Sequence, residues 1–436
     1  MALRSLPSTL DLGCARVYVR VDWNIPFQGG MDVESALKLS RSYPLLHRLR
    51  EQGAITFILT HLGRPTGREK RYSTKPLAAI VAAHSGLPIT FLDADLGTAT
   101  GRDRFALDVD RAQPGSLVLL ENVRFQPGEE KNAASLVKTY ASHADVFIND
   151  AFASCHRAHA SVVGLAKAMP SYAGPALQAE VKALTPLLGK PQRPYVAIVG
   201  GAKLTTKLPV LRALLKKADT VLVGGAMAHP FFAARKQPIG KSLVDAEGTR
   251  EAKKLLRVKQ LLVPEDVVVA RRVAIGETPR AIALNAIKKT DIIVDIGPKT
   301  MEAWSTLIRA AKTVVWNGPV GVAEIPAFSH GSLLIGRAIA SRAKGDAYGV
   351  AGGGDTIPVV ARTGMQEWFD FVSTGGGAML EFLAGNGKLP GLAALEGVGN
   401  RRMPARPPST PEQGMSCAPD LPVSPSVLKR FKKRRA

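Results

Sequence analysis

The sequence has 436 residues, and its 58 Lys and Arg residues against 36 Asp and Glu residues give a formal net charge of +22. This length suggests two or three domains, and a hydrophobic content of 46% excludes a wholly disordered chain. No apolar run reaches the ~18–20 residues of a membrane-spanning helix, and the first residues lack the apolar core of a secretory signal. The three cysteines form no C-x-x-C pair, which favours a reducing compartment, so we predict a cytoplasmic protein. The excess of positive charge favours an anionic partner: a phosphorylated metabolite, a nucleic acid or a membrane surface.

Short β-branched runs alternate with longer helical patterns from residue 1 to residue 400. The predicted strands are Arg16–Val21, Ile55–Thr60, Leu117–Leu120, Asp145–Asn149, Tyr195–Val199, Thr220–Val223, Asp291–Ile296, Thr313–Trp316 and Ala347–Val350. The predicted helices are Leu45–Gln52, Ala134–His143, Lys207–Lys217 and Met301–Ala311. A helical pattern bounded by Pro and Gly, at residues 176–194, separates two groups of strands. We therefore predict an α/β fold in which two doubly wound parallel-sheet domains are joined by a helix.

Residues 401–436 differ in composition from the rest of the chain, since they hold seven prolines, carry a net charge of +7 and end in LKRFKKRRA. Isolated apolar residues and prolines cannot form a packed core, so we predict a basic, Pro-rich disordered tail. Such a tail could bind nucleic acid, but a solvated tail is the favoured interpretation. The other 400 residues keep a charge of +15, so the tail alone does not account for the basic balance.

Glycine clusters follow several predicted strands of the second half. Gly200 and Gly201 precede Lys203 and Lys207, and further clusters lie at 224–225, 352–354 and 375–377. Glycine lets a phosphate approach backbone N–H groups closely, and a helix N-terminus favours the anion. Each cluster alone is more typical of a tight turn, and no G-x-x-x-x-G-K-[ST] motif is present. Taken together, the clusters favour a nucleotide-phosphate site, with Asp355 near enough for a phosphate-bound Mg²⁺.

Polar and basic residues follow the predicted strands of the first half. They are Asp22 and Asn24, His61 and Arg64, Arg124, and the group His156, Arg157 and His159. Because the carboxyl ends of parallel strands meet at one edge of a sheet, these residues could form a basic pocket for a small phosphorylated carboxylate. Surface arginines and structural histidines are the alternative interpretation. A metal site is disfavoured, because no Cys, Asp or Glu set completes the His-x-x-His pair.

The segments that carry these residues come in one order along the chain. They are VRVDWNIP, THLGRPTG, LLENVRFQPGEEKN, FINDAFASCHRAHAS, AIVGGAKLTTKL, GGAMA, IGKSL, DIGPKT, VVWNGPVGV, GGGDT, STGGGAMLEFL and LPGLAAL. In that order they resemble phosphoglycerate kinases over essentially all of residues 1–400. The resemblance implies a phosphoglycerate-binding domain (1–175), a hinge helix (176–194), a nucleotide-binding domain (195–372) and a segment that returns to the first domain (373–400). It also implies reversible phosphoryl transfer between MgATP and the carboxylate of 3-phosphoglycerate, giving ADP and 1,3-bisphosphoglycerate, by a cytoplasmic monomer with no membrane partner.

The resemblance also implies roles, position by position. The residues that match the phosphoglycerate pocket are Asp22, Trp23, Asn24, Lys38, His61, Leu62, Gly63, Arg64, Arg124 and Arg157. The residues that match the nucleotide site are Gly201, Lys203, Lys207, Gly297, Glu324, Gly353, Gly354, Asp355 and Thr356, with Asp355 holding Mg²⁺ through the nucleotide phosphates. The implied catalytic groups are Lys38, Lys203, Gly353 and Gly376.

One position departs from the family pattern. The family has an arginine six residues before a proline in the helix after the first loop, and counting back from Pro44 leads to Lys38. Lysine keeps the charge but lacks the planar pair of donors that arginine has. Arg41 lies three residues further on and could substitute if the helix shifted by one turn. Two hypotheses follow: an active phosphoglycerate kinase, which the lysine could slow, or a catalytically impaired paralogue with a binding or regulatory role.

Overall fold

The structure, a computed structural model, describes residues 3–26 and 30–396. The strands are β1 (Arg16–Arg20), β2 (Ile55–Leu59), β3 (Ile89–Leu92), β4 (Leu117–Leu120), β5 (Val146–Asn149), β6 (Ser171–Ala173), β7 (Tyr195–Val199), β8 (Thr220–Val223), β9 (Leu261–Leu262), β10 (Asp266–Ala270), β11 (Arg280–Ala283), β12 (Ile292–Ile296), β13 (Thr313–Asn317), β14 (Tyr348–Gly352) and β15 (Phe371–Ser373). The α-helices are α1 (Val33–Ser40), α2 (Tyr43–Glu51), α3 (Lys75–Ser85), α4 (Ala99–Asp110), α5 (Ala134–Ala141), α6 (Leu165–Ala168), α7 (Pro175–Leu184), α8 (Leu204–Leu215), α9 (His229–Ala234), α10 (Ala246–Leu255), α11 (Pro298–Ala310), α12 (His330–Ala343), α13 (Ile357–Arg362), α14 (Gly376–Ala384) and α15 (Pro390–Glu396). The predicted tail, residues 401–436, lies outside the described residues.

The first domain is built on a six-stranded parallel sheet with the strand order β3-β4-β2-β1-β5-β6. Its central strands are buried on both faces: Val19 and Ile58 belong to one apolar core, whereas Tyr18 and Phe57 belong to another. Strands β2, β4 and β3 lie on one side of β1, and β5 and β6 lie on the other side. The carboxyl ends of β1 and β5 therefore border a topological switch point, where ligands bind in such sheets.

The second domain repeats this plan with the strand order β15-β14-β13-β7-β8-β9, again fully parallel. The central strands β7 and β13 pair in register, with Ile198 opposite Trp316. Strands β8 and β9 lie on one side of β7, and β13 to β15 lie on the other, so a second switch point falls between β7 and β13. These two sheets confirm the predicted α/β fold with two parallel-sheet domains.

A small antiparallel sheet, with the strand order β11-β10-β12, was not predicted. Asp291–Ile296 was predicted to be one of the parallel strands, and this is wrong, because β12 pairs antiparallel with β10. A short apolar run such as DVVVA specifies a buried strand but not its partner. Strands β6 and β9, which were not predicted either, have three and two residues and lie at sheet edges.

The predicted helices exist, but several begin one turn earlier than predicted. Helix α11 begins at Pro298, whereas the apolar periodicity predicted a start at Met301. Helix α8 begins at Leu204, so Lys207 lies in its first turn. Proline fits the first turn of a helix, because its missing N–H has no partner there. Periodicity alone does not detect such polar or proline-containing first turns.

Helix α7 connects the two domains and has polar contacts with both. The Asp150 carboxylate, just after β5, accepts hydrogen bonds from the N–H groups of Ala176 and Leu177 at 2.7 and 3.3 Å, which satisfies the first turn of α7. On the same helix, Glu180 accepts from Arg41 of the first domain at 2.6 Å and from the N–H of Thr374 at 2.9 Å. Among the described residues, no helix is long and apolar enough to cross a membrane.

The last described helix, α15, packs against the first domain. It contacts α6, β6 and the turn that precedes α6, and the N–H of Gly391 donates to the carbonyl of Cys155 at 2.8 Å. The chain therefore passes from the second sheet through α14 to a position against the first domain.

Candidate active site

A cavity of about 210 Å³ lies where the two domains face each other. Its walls come from loops at the carboxyl ends of first-domain strands, from α1 and from two glycine loops of the second domain. The predicted site residues that line it are Asp22, Asn24, Lys38, His61, Arg157, Gly354 and Gly376. We call this space the acceptor cavity.

A buried arginine that was not predicted contacts two residues of the cavity lining, Ser154 and His61. Arg20, the last residue of β1, is only 1% exposed and donates to the hydroxyls of Ser154 and Ser161 at 3.2 Å. Its Nη2 lies 3.0 Å from His61 Nδ1. A guanidinium can only donate, so Nδ1 accepts and the ring proton of His61 is on Nε2. Burial and the neighbouring cations Arg20 and Arg124 lower the pKa of His61 well below its ordinary value, so this histidine is a neutral hydrogen-bond donor at pH 7.

The predicted arginines occupy three different environments. Arg157 lines the acceptor cavity, and its Nε donates to His156 Nε2 at 3.1 Å. Arg124 lies beside the cavity and donates to the carbonyl of Gly63, and burial together with the charge of Arg157 lowers its pKa to about 10. Arg64 is exposed and does not line the cavity. Positive charge is therefore concentrated at one end of the acceptor cavity and continues to the surface.

Three residues that were predicted for the phosphoglycerate pocket are not among those that line the acceptor cavity. The indole of Trp23 is fully buried and donates from Nε1 to Ser42 Oγ at 2.9 Å, so its side chain does not face the cavity. Leu62 is buried and its carbonyl accepts from the Asn122 side chain. Gly63 has a φ of +60°, and a Cβ there would lie 2.2 Å from the ring of Tyr72. The side chains of Trp23 and Leu62 are therefore packed in the interior, and Gly63 has no room for a side chain, so the predicted contact of these residues with phosphoglycerate would be made by their backbone.

Lys38, on α1, lines the acceptor cavity. Its ammonium lies 2.6 Å from a carboxylate oxygen of Glu34, one turn earlier on the same helix. Burial lowers the pKa of Lys38, but the nearby carboxylates of Asp22 and Glu34 outweigh this effect and raise it above its ordinary value, so the amine is charged. Glu34 itself lines the cavity and was not predicted.

Arg41, the suggested substitute for Lys38, has other partners. Its Nη1 lies 2.6 Å from Glu180 Oε1, its Nη2 donates to the carbonyl of Val372, and the guanidinium stacks 4.7 Å above the ring of Phe371. These contacts hold Arg41 between α7 and β15. Lys38 is therefore the cation that α1 presents to the acceptor cavity.

A second cavity, of about 470 Å³, lies in the second domain along the carboxyl ends of β7, β8 and β13. Its lining includes the predicted residues Gly201, Glu324 and Asp355. The carboxylates of Glu324 and Asp355 form no direct ion pair within the part of the chain that the structure describes. They are free to accept from ligand hydroxyls or to bind a cation. We call this space the donor cavity.

Lys207 lies next to Gly201 of the donor-cavity lining, since a Cβ on Gly201 would be 3.2 Å from its Nζ, and it is held by an asparagine that was not predicted. Its ammonium donates to Asn317 Oδ1 at 2.8 Å and to the carbonyl of Gly200 at 2.6 Å. Asn317 Nδ2 in turn donates to the carbonyl of Gly352 at 2.8 Å. Burial lowers the pKa of Lys207 to about 8, partly offset by the carboxylate of Asp355. Asn317 directly follows the predicted strand Thr313–Trp316 and is the last residue of the observed β13, so a polar residue at the end of a buried strand was the available signal.

Other predicted nucleotide-site residues do not line the donor cavity. Lys203 is exposed at the residue preceding α8. Gly297 lies against Asp266, where a Cβ would approach the carboxyl carbon to 2.3 Å. Thr356 is buried, and its hydroxyl accepts from the N–H of Gly318 at 2.8 Å. Gly297 and Thr356 therefore set the shape of neighbouring loops, and Lys203 is free to reach a ligand from the surface.

The two cavities adjoin at the glycine loops of the second domain. Gly354 lines the acceptor cavity, and the next residue, Asp355, lines the donor cavity. Gly376, at the N-terminus of α14, packs against this loop, since a Cβ on Gly376 would lie 3.5 Å from the Cα of Gly353. Backbone N–H groups at a helix N-terminus stabilise negative charge. The arrangement can therefore hold two anions and stabilise charge that moves between them.

Comparisons with known proteins agree with this geometry. A family model described as phosphoglycerate kinase matches residues 8–386. A phosphoglycerate kinase from Thermus thermophilus is 45% identical over 394 residues, which cover 89% of this chain and 98% of the relative. A relative of the same name from Deinococcus radiodurans is 41% identical, with 89% and 93% covered. The solved structure of phosphoglycerate kinase from Coxiella burnetii has a TM-score of 0.75 and 36% identity, and the match covers 90% of this chain and 99% of that one.

Proposed function

Because the chain belongs to the phosphoglycerate kinase family, we propose that its two adjoining cavities form a single phosphotransferase site. The reaction is the reversible transfer of the γ-phosphoryl group of ATP to the carboxylate of 3-phosphoglycerate. In this proposal the acceptor cavity holds 3-phosphoglycerate and the donor cavity holds the nucleotide. The observation that carries the proposal is the loop of Gly354 and Asp355, because its consecutive residues line one cavity each.

The acceptor cavity has the chemistry that a phosphorylated carboxylate requires. Arg157 and Lys38 supply charge, and the neutral His61 supplies an Nε2–H donor. Asn24 accepts from the N–H of Gly63 at 2.9 Å, which fixes the loop beside His61. The attacking carboxylate is already ionised at pH 7, so the step needs no general base. The residues act by holding the carboxylate in line with the phosphoryl group and by offsetting its charge.

The second domain supplies the groups that bind the nucleotide phosphates. Lys207 lies one turn into α8, and Lys203 precedes that helix. Gly354 and Gly376 line the acceptor cavity beside Asp355 of the donor cavity, so backbone N–H groups of these glycine loops are the proposed donors to the transferring group. These donors stabilise the transferring phosphoryl group best when water is excluded, because low dielectric strengthens each interaction.

The residues present fit a Mg²⁺ ion carried by the nucleotide. Asp355 offers a hard carboxylate ligand at the edge of the donor cavity and has no direct ion pair among the described residues. In the described parts of the chain, no three His, Cys, Asp or Glu side chains form a cluster that could hold a metal ion. A single carboxylate suits an ion whose other ligands are phosphate oxygens and water. When bound, Mg²⁺ would neutralise charge on the phosphates that Asp355 faces.

Domain closure is part of the proposal, because the two half-sites lie on different sheets. Helix α7 makes polar contacts with both domains through Glu180, which makes residues 176–194 the segment suited to a hinge. We further propose a cytoplasmic monomer that binds ATP or ADP and 3-phosphoglycerate or 1,3-bisphosphoglycerate. No membrane partner is proposed, and nucleic-acid binding by residues 401–436 is not favoured.

The position and charge of Lys38 favour the hypothesis of an active but slow enzyme over that of an impaired paralogue. Its ammonium is in the acceptor cavity and charged, so the position keeps the cation that the reaction needs. What the position lacks is the two-pronged geometry of arginine, which affects the rate rather than the type of chemistry.

A coupled assay with MgATP and 3-phosphoglycerate tests the proposal, combined with one variant in each half-site. Arg157→Met should raise the KM for 3-phosphoglycerate and leave the Kd of MgADP unchanged. Lys207→Met should weaken MgADP binding and leave binding of 3-phosphoglycerate alone unchanged. No turnover by the wild-type protein, with both ligands still bound, would contradict the kinase assignment and favour the impaired paralogue.

A further inference from the structure

The apolar end of the donor cavity contains one buried imidazole. His229, the first residue of α9, is 4% exposed and lines the cavity. The walls around this end are formed by aliphatic side chains, namely Leu243, Val267, Val273, Ile292 and Val294. Leu243 and Val273 are also 75% and 48% exposed, so they flank the cavity mouth with uncovered apolar surface. A flat, largely apolar group of a ligand would cover these side chains.

The protonation of His229 follows from its single hydrogen bond. Nδ1 lies 2.8 Å from the backbone carbonyl oxygen of Leu243. A carbonyl can only accept, so Nδ1 carries the proton and Nε2 presents a lone pair. Burial lowers the pKa of His229, which keeps the imidazole neutral. Nε2 makes no hydrogen bond to any residue in the ranges 3–26 and 30–396, and the opening that the ring lines is the donor cavity.

The other polar side chains that line the donor cavity are not placed to be a hydrogen-bond acceptor at its apolar end. Lys241 is exposed and can keep its ammonium in water. Both carboxylate oxygens of Asp295 accept from backbone N–H groups, those of Ile296 at 2.9 Å and Gly331 at 2.8 Å. Asp355 and Glu324 lie with the glycine loops, where phosphates and ribose are expected. His229 is therefore a fixed acceptor among the apolar walls that suit a nucleobase.

We propose that His229 Nε2 accepts a hydrogen bond from the 6-amino group of adenine and thereby favours adenine nucleotides over nucleotides with a 6-oxo purine. This inference rests on the proposed function of the donor cavity. Adenine presents an N–H donor at position 6, whereas hypoxanthine and guanine present a carbonyl acceptor there. A 6-oxo base would place two acceptors opposite each other in a buried site, which leaves both without a partner. A site built around one hydrogen bond rejects the ligand that cannot make it.

Nucleotide titrations by calorimetry, in the presence of Mg²⁺, test this proposal. MgADP and MgIDP are a matched pair, because the bases differ at position 6. We expect the wild-type protein to bind MgADP about tenfold more tightly than MgIDP. His229→Phe keeps a flat ring but has no acceptor, and it should bring the two Kd values to within about twofold. Lys241→Ala, which removes the other flexible polar side chain at this end, is the control and should leave the ratio of the Kd values at the wild-type value.

A measurement on the wild-type protein avoids dependence on the folding of the variant. The diphosphate of purine riboside has hydrogen at position 6, so it should bind between MgADP and MgIDP in affinity. Equal Kd values for all three ligands in the wild-type protein, or an unchanged ratio in His229→Phe, would overturn the role of His229. In either case the kinase activity with MgATP could still stand. Failure of all three ligands to bind would overturn both the proposed function of the donor cavity and this inference.

Discussion

Lys38 Nζ lies 2.6 Å from Glu34 Oε1, one helical turn earlier on α1, and both side chains line the acceptor cavity. The Glu34 carboxylate also lies close to the second domain, since a Cβ on Gly354 would be 3.1 Å from its Oε1. A carboxylate thus occupies the place where an anionic substrate would meet Lys38. This ion pair holds the Lys38 ammonium at the wall of the acceptor cavity, and the negative charge of Glu34 partly offsets its positive charge.

Removal of the Lys38 ammonium should slow the reaction. We expect Lys38→Ala to lower kcat about a hundredfold, because one donor to the transferring group is lost from a site that excludes water. Lys38→Arg should equal or exceed the wild-type rate, because the guanidinium adds a second donor. Steady-state assays with MgATP and 3-phosphoglycerate measure both effects. Lys75→Ala, at an exposed lysine on α3, is the control, and an unchanged kcat in Lys38→Ala would show that Lys38 takes no part in the step.

Neutralisation of Glu34 should strengthen binding of the acceptor substrate. Glu34→Gln keeps the shape of the side chain and removes a negative charge from a cavity that receives an anion. We expect the KM for 3-phosphoglycerate to fall about fivefold, which corresponds to about 1 kcal/mol for the loss of one like-charge contact. Kinetic titration of 3-phosphoglycerate at saturating MgATP measures this. Glu51→Gln, at the exposed end of α2, should not change the KM, and a higher KM in Glu34→Gln would indicate that the carboxylate instead positions Lys38.

The parallel strands could be predicted because each is a short apolar run with helical patterns on both sides. Leu117–Leu120, Tyr195–Val199 and Thr220–Val223 were predicted with the same ends that the structure has. The antiparallel sheet could not be predicted in the same way, since strand pairing depends on contacts between β10 and its partners. Sequence periodicity reports which residues are buried, but it does not report the strand that lies beside them.

Site residues could be predicted where a polar residue follows a strand. The buried residues that hold those side chains in place were harder to predict. Asp22 and His61 follow β1 and β2, so their positions at one sheet edge could be inferred. Arg20 and Asn317 are the last residues of β1 and β13, and the sequence does not show that their partners are buried: His61 and two serines for Arg20, and Lys207 for Asn317. The direction of Trp23 could not be read from the sequence, because an indole can pack in the core or against a ligand.

Arg20 should contribute to the stability of the first domain as well as to the site. Its side chain is buried, and the Glu129 carboxylate nearby is also buried and accepts from Ser161 Oγ at 2.6 Å. Arg20→Met would remove the positive charge that faces this carboxylate through Ser161 and would leave Ser154, Ser161 and His61 without their buried donor, so we expect the free energy of unfolding to fall by about 3–5 kcal/mol. Urea unfolding followed by circular dichroism measures the change.

A matched control for this variant lies on the same strand. Arg16, at the start of β1, has a more exposed side chain that pairs with Asp110 at 2.7 Å. Arg16→Met should lower the free energy of unfolding by less than about 1 kcal/mol, because exposed ion pairs contribute little. Equal destabilisation by the two variants would contradict a special role for the buried guanidinium of Arg20.

Nucleotide binding should weaken as Lys207 loses its proton. Burial lowers the pKa of this lysine to about 8, so the amine is mostly charged at pH 7 and mostly neutral at pH 9. A neutral amine attracts phosphate less, so the Kd of MgADP should rise by up to about tenfold between pH 7 and pH 9.

In Lys207→Arg the side chain stays charged over this range, so the Kd should change by less than about twofold. Calorimetric titrations at several pH values measure both slopes, and Lys203→Arg, at an exposed lysine, should keep the wild-type slope. Parallel slopes for the wild-type protein and Lys207→Arg would show that another group controls the pH dependence of nucleotide binding.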